Sequence, residues 1–223
     1  MTTVARDVSG TDASSWAPIR LDGAELTDQR HVCAMFRDEV EQYRLLLPFI
    51  ADGLEGGARA FHIVDPGRRD AHLQRLQSAG IDVTHWMERG ALEVRTWPDV
   101  HLIEGHFDQD RMLSLIQEVL RAGRPAFPLT RFIANMEWAL EDVPGVGDIV
   151  EYEARLNDVL PKYGIDPVIC TYDLGRFGAG VTVDILRTHP VAVVGGTLQE
   201  NPFYVAPDVL RAELRDRDRV RVQ

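Results

Sequence analysis

Residues 31–64 read HVCAMFRDEVEQYRLLLPFIADGLEGGARAFHIV, and this stretch decides the fold. It opens with His31–Phe36, an apolar run of strand length. Apolar side chains then recur every three or four positions, which predicts a helix with one buried face. They are Val40, Tyr43, Leu46, Leu47, Ile50 and Leu54. Glu55-Gly56-Gly57 ends the helix, and Ala58–Val64 is the next strand. The stretch is therefore a strand–helix–strand unit.

The same alternation continues to the end of the chain. Further strands are predicted at Ala91–Trp97, Arg131–Leu140, Pro167–Tyr172 and Val191–Gly195. Helices are predicted at 71–79, 108–122, 149–160, 179–187 and 207–218, with a hairpin return over 199–205. Strands that alternate with helices of this length predict a three-layer α/β fold, in which a largely parallel sheet carries helices on both faces.

The domain organisation is predicted to be simple. Residues 1–24 are polar and lack periodicity, so we predict a flexible N-terminal arm there. Residues 25–223 show neither an internal repeat nor a long linker, and their number suits one domain. We therefore predict a single domain over 25–223.

Charge and composition exclude several classes of function. The chain has 24 basic and 35 acidic residues, a net charge of −11, which argues against a phosphate-binding, nucleic-acid surface. Its single lysine, Lys162, lies outside any Gly-Lys-Ser/Thr motif, so no working P-loop is predicted. The apolar runs are far shorter than the ~20 residues of a membrane span, and no secretory signal is visible. We expect no membrane association and a cytoplasmic location.

The ends of the predicted strands are acidic and aromatic. They are Phe36–Glu39, Asp65–Gly67, Trp97–Asp99, Glu137–Trp138 and Tyr172–Arg176. Ligands of parallel α/β sheets bind beyond these carboxyl ends. Asp38 and Glu39 would repel a phosphate there, although they could also simply cap the following helix.

His31 and Cys33 lie two residues apart, so on a strand both side chains point to one side. They could form half of a soft-metal or haem site, with further ligands from His62 or Cys170. They could equally be a hydrogen-bonded histidine and a cysteine that packs as a small apolar residue, and this second interpretation is favoured. The sequence leaves both metal and cofactor unknown.

Two other candidate residues are suggested by the sequence immediately around each of them. Glu137 sits in the apolar run 132–138, where a carboxylate serves either as a ligand contact or general base, or as one half of a buried ion pair with Arg131 or Arg176. Tyr204 either packs on the core or lines a small apolar pocket. The predicted ligand-binding residues are His31, Cys33, Glu39, His62, Glu137, Tyr172, Arg176 and Tyr204.

An ordered set of short motifs resembles one known family. The motifs of the first half are His31-x-Cys33, Leu45-Leu46-Leu47-Pro48-Phe49 within 39–49, and Gly53-Leu54-x-x-Gly57. Those of the second half are Met136-Glu137-Trp138, Cys170-x-Tyr172-Asp173, Arg176-Phe177, His189-Pro190, Gly195-Gly196 and Glu200-Asn201-Pro202-x-Tyr204. Together, over about residues 28–210, they resemble the MEDS (methanogen/methylotroph sensory) domain.

This resemblance implies a RecA-like sheet without a working P-loop and a role in sensing small hydrocarbon derivatives, with no catalytic residue. Family members are often fused to a DNA-binding domain or a histidine kinase, and 223 residues leave no room for either. We therefore expect signalling through a separate regulatory protein such as a kinase or a transcription factor, without direct nucleic-acid binding. Self-association stays open. The alternatives are a divergent enzyme with a metal or haem near His31 and Cys33, and a ligand-free anti-regulator protein.

Overall fold

The computed structural model describes residues 18–26, 28–124, 126–163 and 166–221. Its strands are β1 (Arg20–Leu21), β2 (Ala24–Glu25), β3 (His31–Phe36), β4 (Arg59–Val64), β5 (Leu92–Thr96), β6 (Thr130–Asn135), β7 (Val168–Asp173), β8 (Val191–Val194) and β9 (Thr197–Glu200). Its α-helices are α1 (Glu39–Glu55), α2 (Arg69–Ser78), α3 (Val83–Glu88), α4 (Gln109–Gly123), α5 (Ile149–Val159), α6 (Ala179–Leu186) and α7 (Pro207–Arg221).

Seven strands form one sheet in the order β5-β4-β6-β7-β3-β8-β9. All neighbours are parallel except β9, which returns antiparallel to β8 as a hairpin. Parallel neighbours need crossover connections, and the helices predicted between the strands supply them. The largely parallel α/β sheet predicted from the sequence is therefore confirmed.

Helices cover both faces of the sheet and create two separate cores. The side chains of Val32, Ala34 and Phe36 pack with α1, α2 and α3 on one face. Cys33 and Met35, which alternate with them, pack with α4, α5 and α6 on the other. The last helix, α7, packs against α5. None of the helices in the described residues combines the length and the apolar character that crossing a bilayer requires.

The fourth long strand is shorter than predicted. The expected strand Arg131–Leu140 ends at Asn135, and a short 3-10 helix, Glu137–Leu140, follows. This turn buries Trp138 completely, against the rings of His101 and Phe107. Burial of this large indole outweighs continuation of the strand, and the turn places Glu137 beyond the end of the sheet.

The predicted arm over residues 1–24 needs a partial correction. Residues 1–17 lie outside the described part of the chain, but residues 20–25 form a hairpin of β1 and β2. Asp22 and Gly23 make its turn with φ values of 52° and 75°, a conformation that Asp-Gly favours. Ile19 and Leu21 are buried in the core beside α1, which is why this segment is ordered.

Candidate functional site

A cleft opens at the carboxyl ends of the four central strands. The chain leaves β3 and β4 towards the layer of α1 and α2, but it leaves β6 and β7 towards the layer of α5 and α6. Since β6 and β7 lie between β4 and β3, these loops diverge and leave a crevice above the sheet. The crevice has about 20 Å³ of enclosed room for a water-sized group and otherwise opens to solvent.

Carboxylates dominate the lining of this cleft. Its acidic residues are Asp38, Glu39, Asp65, Glu137 and Asp173, and its arginines are Arg68 and Arg176. Glu39 is held by ion pairs with Arg68 and with Arg75, the latter at 2.6 Å. The excess of acids makes the cleft a poor site for an anion.

The N-terminus of α1 is closed by the chain's own side chains. Asp38 Oδ1 accepts a hydrogen bond from the Glu41 amide at 2.9 Å, and Glu41 Oε2 accepts one from the Arg37 amide at 3.0 Å. The Glu41 amide is one of the donors that a phosphate would use at a helix N-terminus, and the Arg37 amide lies just before the helix. The sequence left two roles open for the acidic residues of this loop, helix capping and repulsion of phosphate. The observed contacts are compatible with both roles at once.

Glu137 is the buried carboxylate of the cleft. Its side chain is 3% exposed, and it accepts hydrogen bonds from the Asn135 amide group and, at 2.8 Å, from the Asp173 backbone N–H. Burial raises the pKa of Glu137, while the Asp173 hydrogen bond and the charge of Arg176 work in the opposite direction. Arg131 lies at the far end of β6 and donates to the Phe49 carbonyl, so it does not pair with Glu137.

A second constellation lies inside the core, between the sheet and α5. Glu153 of α5 is fully buried, and its Oε2 atom lies 3.0 Å from His31 Nε2 and 3.2 Å from His189 Nε2. Cys170 Sγ lies 3.6 Å from Glu153 Oε2 and 3.6 Å from His31 Nε2. One nitrogen, oxygen or sulfur atom of each of the four side chains lies within 4.8 Å of the others.

The buried environment controls the protonation of this cluster. Burial lowers the pKa of His31, and the neighbouring His189 lowers it further, against the opposing effect of Glu153. Burial and the Glu153 charge raise the pKa of the Cys170 thiol well above its usual value. Glu153 Oε1 is buried without a hydrogen-bond partner among the described residues. Burial and the neighbouring Glu153 raise the pKa of the Tyr172 hydroxyl well above its usual value.

The chain resembles known proteins in both sequence and fold. A family model for the MEthanogen/methylotroph, DcmR Sensory domain (MEDS) matches residues 30–190. This chain belongs to the MEDS family. The Transcriptional repressor DcmR of Methylorubrum extorquens is 23% identical over 184 residues, which cover 78% of this chain and 63% of the repressor. The matching region therefore spans less than two thirds of that relative. The family description and this relative support a sensory, regulatory role for the MEDS domain.

Solved structures support the fold of this MEDS domain. A KaiC-like protein from Pyrococcus horikoshii OT3 superposes with a TM-score of 0.56 at 15% identity, covering 77% of this chain and 73% of that one. The flagellar accessory protein FlaH from Methanocaldococcus jannaschii gives 0.52 at 13% identity, with 79% and 78% covered. The RecA-like fold implied by the sequence resemblance is confirmed.

The structure divides the predicted ligand-binding residues of the MEDS domain among separate places. Glu39, Glu137, Tyr172 and Arg176 all line the cleft at the carboxyl ends. The other predicted residues do not reach this cleft. They are His31, Cys33, His62 and Tyr204.

Those four residues have different surroundings. His62 lies on the α1–α3 face, where its Nδ1 atom is 3.0 Å from His72 Nε2, so it cannot join His31 in a metal site. Cys33 is buried on the α4–α6 face, opposite Cys170 in the β3–β7 register. Tyr204 and His31 line a depression at the amino end of β3, on the opposite edge of the sheet from the cleft.

Sequence reasoning missed Glu153, and it named His189 only as part of the family motif His189-Pro190. The signal for Glu153 was its spacing, because it follows Ile149 by four positions and precedes Leu156 by three, on the buried face of α5. A carboxylate on such a face needs a partner of opposite charge or a hydrogen-bond donor. No comparable signal ties His189 to His31, because two residues 158 positions apart in the sequence give no local indication that they are neighbours in the fold.

Proposed function

We propose that this MEDS domain senses a small polar or uncharged molecule, that the molecule binds in the cleft at the carboxyl ends of β3, β4, β6 and β7, and that the signal passes to a separate regulatory protein. The observation that carries this is the cleft itself: it occupies the ligand position of an open α/β sheet but replaces an anion cradle with carboxylates.

The chemistry of the cleft favours a small hydrogen-bonding ligand without a phosphate. Asp38 caps the Glu41 amide and Glu41 accepts from the Arg37 amide, so a phosphate at the start of α1 would meet two carboxylates. The enclosed room of about 20 Å³ is close to that of one water molecule, so the loops that line the cleft must move apart to admit a larger ligand. Glu137 and Arg176 offer a carboxyl group and a guanidinium group for its polar atoms.

The ligand can signal only if it binds two states of the domain with different affinity. The lining comes from four separate loops, after β3, β4, β6 and β7, so a ligand that contacts several of them favours one relative arrangement of these loops. The DcmR relative is a transcriptional repressor, which supports a regulatory protein as the recipient of the signal.

The test is a thermal-shift screen of the purified chain, followed by calorimetry on any hit. The probes are halomethanes, short alcohols, aldehydes and short carboxylic acids, with Mg²⁺-ATP as a counter-probe. We expect a shift with at least one of the uncharged classes and none with Mg²⁺-ATP. Absence of binding by every small-molecule class, or tight binding and turnover of ATP, would contradict the proposed function.

Two pairs of variants locate the binding site. Glu137→Gln and Arg176→Ala should weaken binding of the hit at least about tenfold, because each removes a charged group that lines the cleft. Glu88→Gln and Arg89→Ala make the same chemical changes at exposed positions outside the cleft and should leave the affinity unchanged. Equal losses in both pairs would place the ligand elsewhere.

A further inference from the structure

We propose that His31, Glu153, Cys170 and His189 bind one divalent transition-metal ion of the zinc type, inside the core and apart from the carboxyl-end cleft. Their donor atoms converge from β3, α5, β7 and the segment before β8. All four residues are buried, with exposures of 0% to 3%. Two imidazoles, a thiolate and a carboxylate are ligands typical of Zn²⁺ and its neighbours.

The hydrogen bonds around the two histidines assign their protons away from the cluster. His31 Nδ1 faces Asn157 Oδ1 at 3.0 Å, and the Asn157 amide nitrogen donates to the Thr188 carbonyl at 2.7 Å, which fixes the amide orientation. His189 Nδ1 lies 3.0 Å from the Ile185 carbonyl oxygen. The Asn157 Oδ1 atom and the Ile185 carbonyl oxygen carry no hydrogen, so the Nδ1 atom of each histidine is the donor.

With its proton on Nδ1 and no second proton, each ring presents an Nε2 lone pair to Glu153 Oε2. Two nitrogen lone pairs and a carboxylate oxygen then meet at 3.0 and 3.2 Å, a contact between acceptors that becomes favourable when a metal ion or an additional proton lies between them. Orientation of a histidine ligand by a hydrogen bond from its second nitrogen is the usual arrangement at metal sites.

Four of the six distances between donor atoms fit a tetrahedral ion. Zn–N and Zn–O bonds of about 2.0–2.1 Å and a Zn–S bond of about 2.3 Å give tetrahedral edges of about 3.3 Å between nitrogen or oxygen ligands and about 3.6 Å to sulfur. Four of the six separations match these edges: the nitrogen–oxygen separations are 3.0 and 3.2 Å, and Cys170 Sγ lies 3.6 Å from both Glu153 Oε2 and His31 Nε2. The other two separations, from His189 to His31 and to Cys170, lie within 4.8 Å. Cys33 is not among the converging donors, although it lies across from Cys170 in the sheet.

Charge balance also favours a divalent ion. On binding, the Cys170 thiol gives its proton to solvent, so the thiolate and the Glu153 carboxylate together balance a charge of +2 while both imidazoles stay neutral. A neutral assembly is the form that a fully buried site tolerates best. The depression lined by His31, Asn157 and Tyr204 gives an ion a route to the site from the amino edge of the sheet.

The test uses the purified full chain and the ions Zn²⁺ and Co²⁺. After incubation with Zn²⁺ and removal of free ion, we expect about one ion per chain by elemental analysis. Co²⁺ should give the intense visible bands of a tetrahedral site and a thiolate-to-cobalt charge-transfer band. Failure to retain an ion, or a cobalt complex without the thiolate band, would overturn the assignment.

Matched cysteine variants identify the thiolate. C170S should lose the charge-transfer band and at least about tenfold in Co²⁺ affinity, whereas C33S, which changes an equally buried cysteine, should keep both. Equal behaviour of the two variants would overturn the proposal.

A measurement on the unmodified chain covers the case in which C170S does not fold. A strong chelator should lower the melting temperature, and Zn²⁺ should restore it while Mg²⁺ should not. If the chelator leaves the melting temperature unchanged, hydrogen bonds alone stabilise the cluster and the proposal is wrong. E137Q should retain the ion, so failure of this proposal and failure of ligand binding in the cleft remain distinguishable.

Discussion

His101 is a buried ring whose two nitrogens have no hydrogen-bond partner among the described residues. It stacks on Trp138 with 4.8 Å between ring centroids. Burial lowers the pKa of His101 to about 3, so the ring is neutral over most of the pH range. The ring is therefore held by packing, and its polar atoms work against stability.

Replacement of this ring by an apolar one should stabilise the protein. We expect His101→Phe to raise the free energy of unfolding at pH 7 by about 1–3 kcal/mol, because it removes unsatisfied buried polar atoms and keeps an aromatic ring against Trp138. Urea unfolding followed by circular dichroism measures the difference. A marked destabilisation would show that the nitrogens bind a buried water molecule or another group.

At the scale of one element, the start of α1 depends on Asp38. This residue is extended, with φ −161° and ψ 169°, and its side chain caps the Glu41 amide. The capping bond satisfies one of the amides that a helix leaves without a partner at its N-terminus.

Loss of the cap should destabilise the protein. Asp38→Ala should lower the free energy of unfolding by about 1 kcal/mol, whereas Asp38→Ser, which keeps a side-chain acceptor, should retain most of the stability. Denaturation midpoints at constant m-value would give the comparison. If Asp38→Ala matched the unmodified chain, the capping bond would carry no stability.

At the scale of the whole molecule, buried histidines determine how stability depends on pH. Burial lowers the pKa of His72 to about 4, with a further contribution from Arg69, and lowers that of His62 well below its usual value. Together with His101, these rings accept a proton in the unfolded chain at pH values where the folded chain keeps them neutral. Asp166 opposes them, because burial raises its pKa to about 6.

Stability should therefore fall on acidification. At pH values between the ordinary histidine pKa of about 6.5 and the lowered pKa of each buried histidine, the unfolded chain binds more protons than the folded one. Each such histidine therefore contributes stability above pH 6.5 that is lost as the pH falls towards 4. The His101→Phe variant should lose less stability on acidification. Between about pH 5.5 and 4.5, its free energy of unfolding should change with pH by about 1.4 kcal/mol per pH unit less than that of the unmodified chain. Urea titrations at several pH values measure both slopes, and identical slopes would show that His101 does not titrate in this way.

The secondary structure followed from local pattern alone. The alternation of apolar runs and amphipathic helices in 31–64 and beyond predicted the parallel sheet, because strand and helix periods are properties of neighbouring residues. Two local signals were underused: the Asp22-Gly23 turn of the first hairpin, and Trp138, whose burial ends β6 early.

The sequence by itself determined the fold class, the acidic character of the strand ends and the family. It placed Glu39, Glu137, Tyr172 and Arg176 at the strand ends, and all four line the cleft there, since the carboxyl ends of parallel strands share one edge. Only the tertiary structure decided that His31 meets Glu153, Cys170 and His189 and that His62 faces the opposite layer. The reason is physical: strand order and the pairing of α5 with the sheet depend on packing between segments more than a hundred residues apart, which no local periodicity encodes.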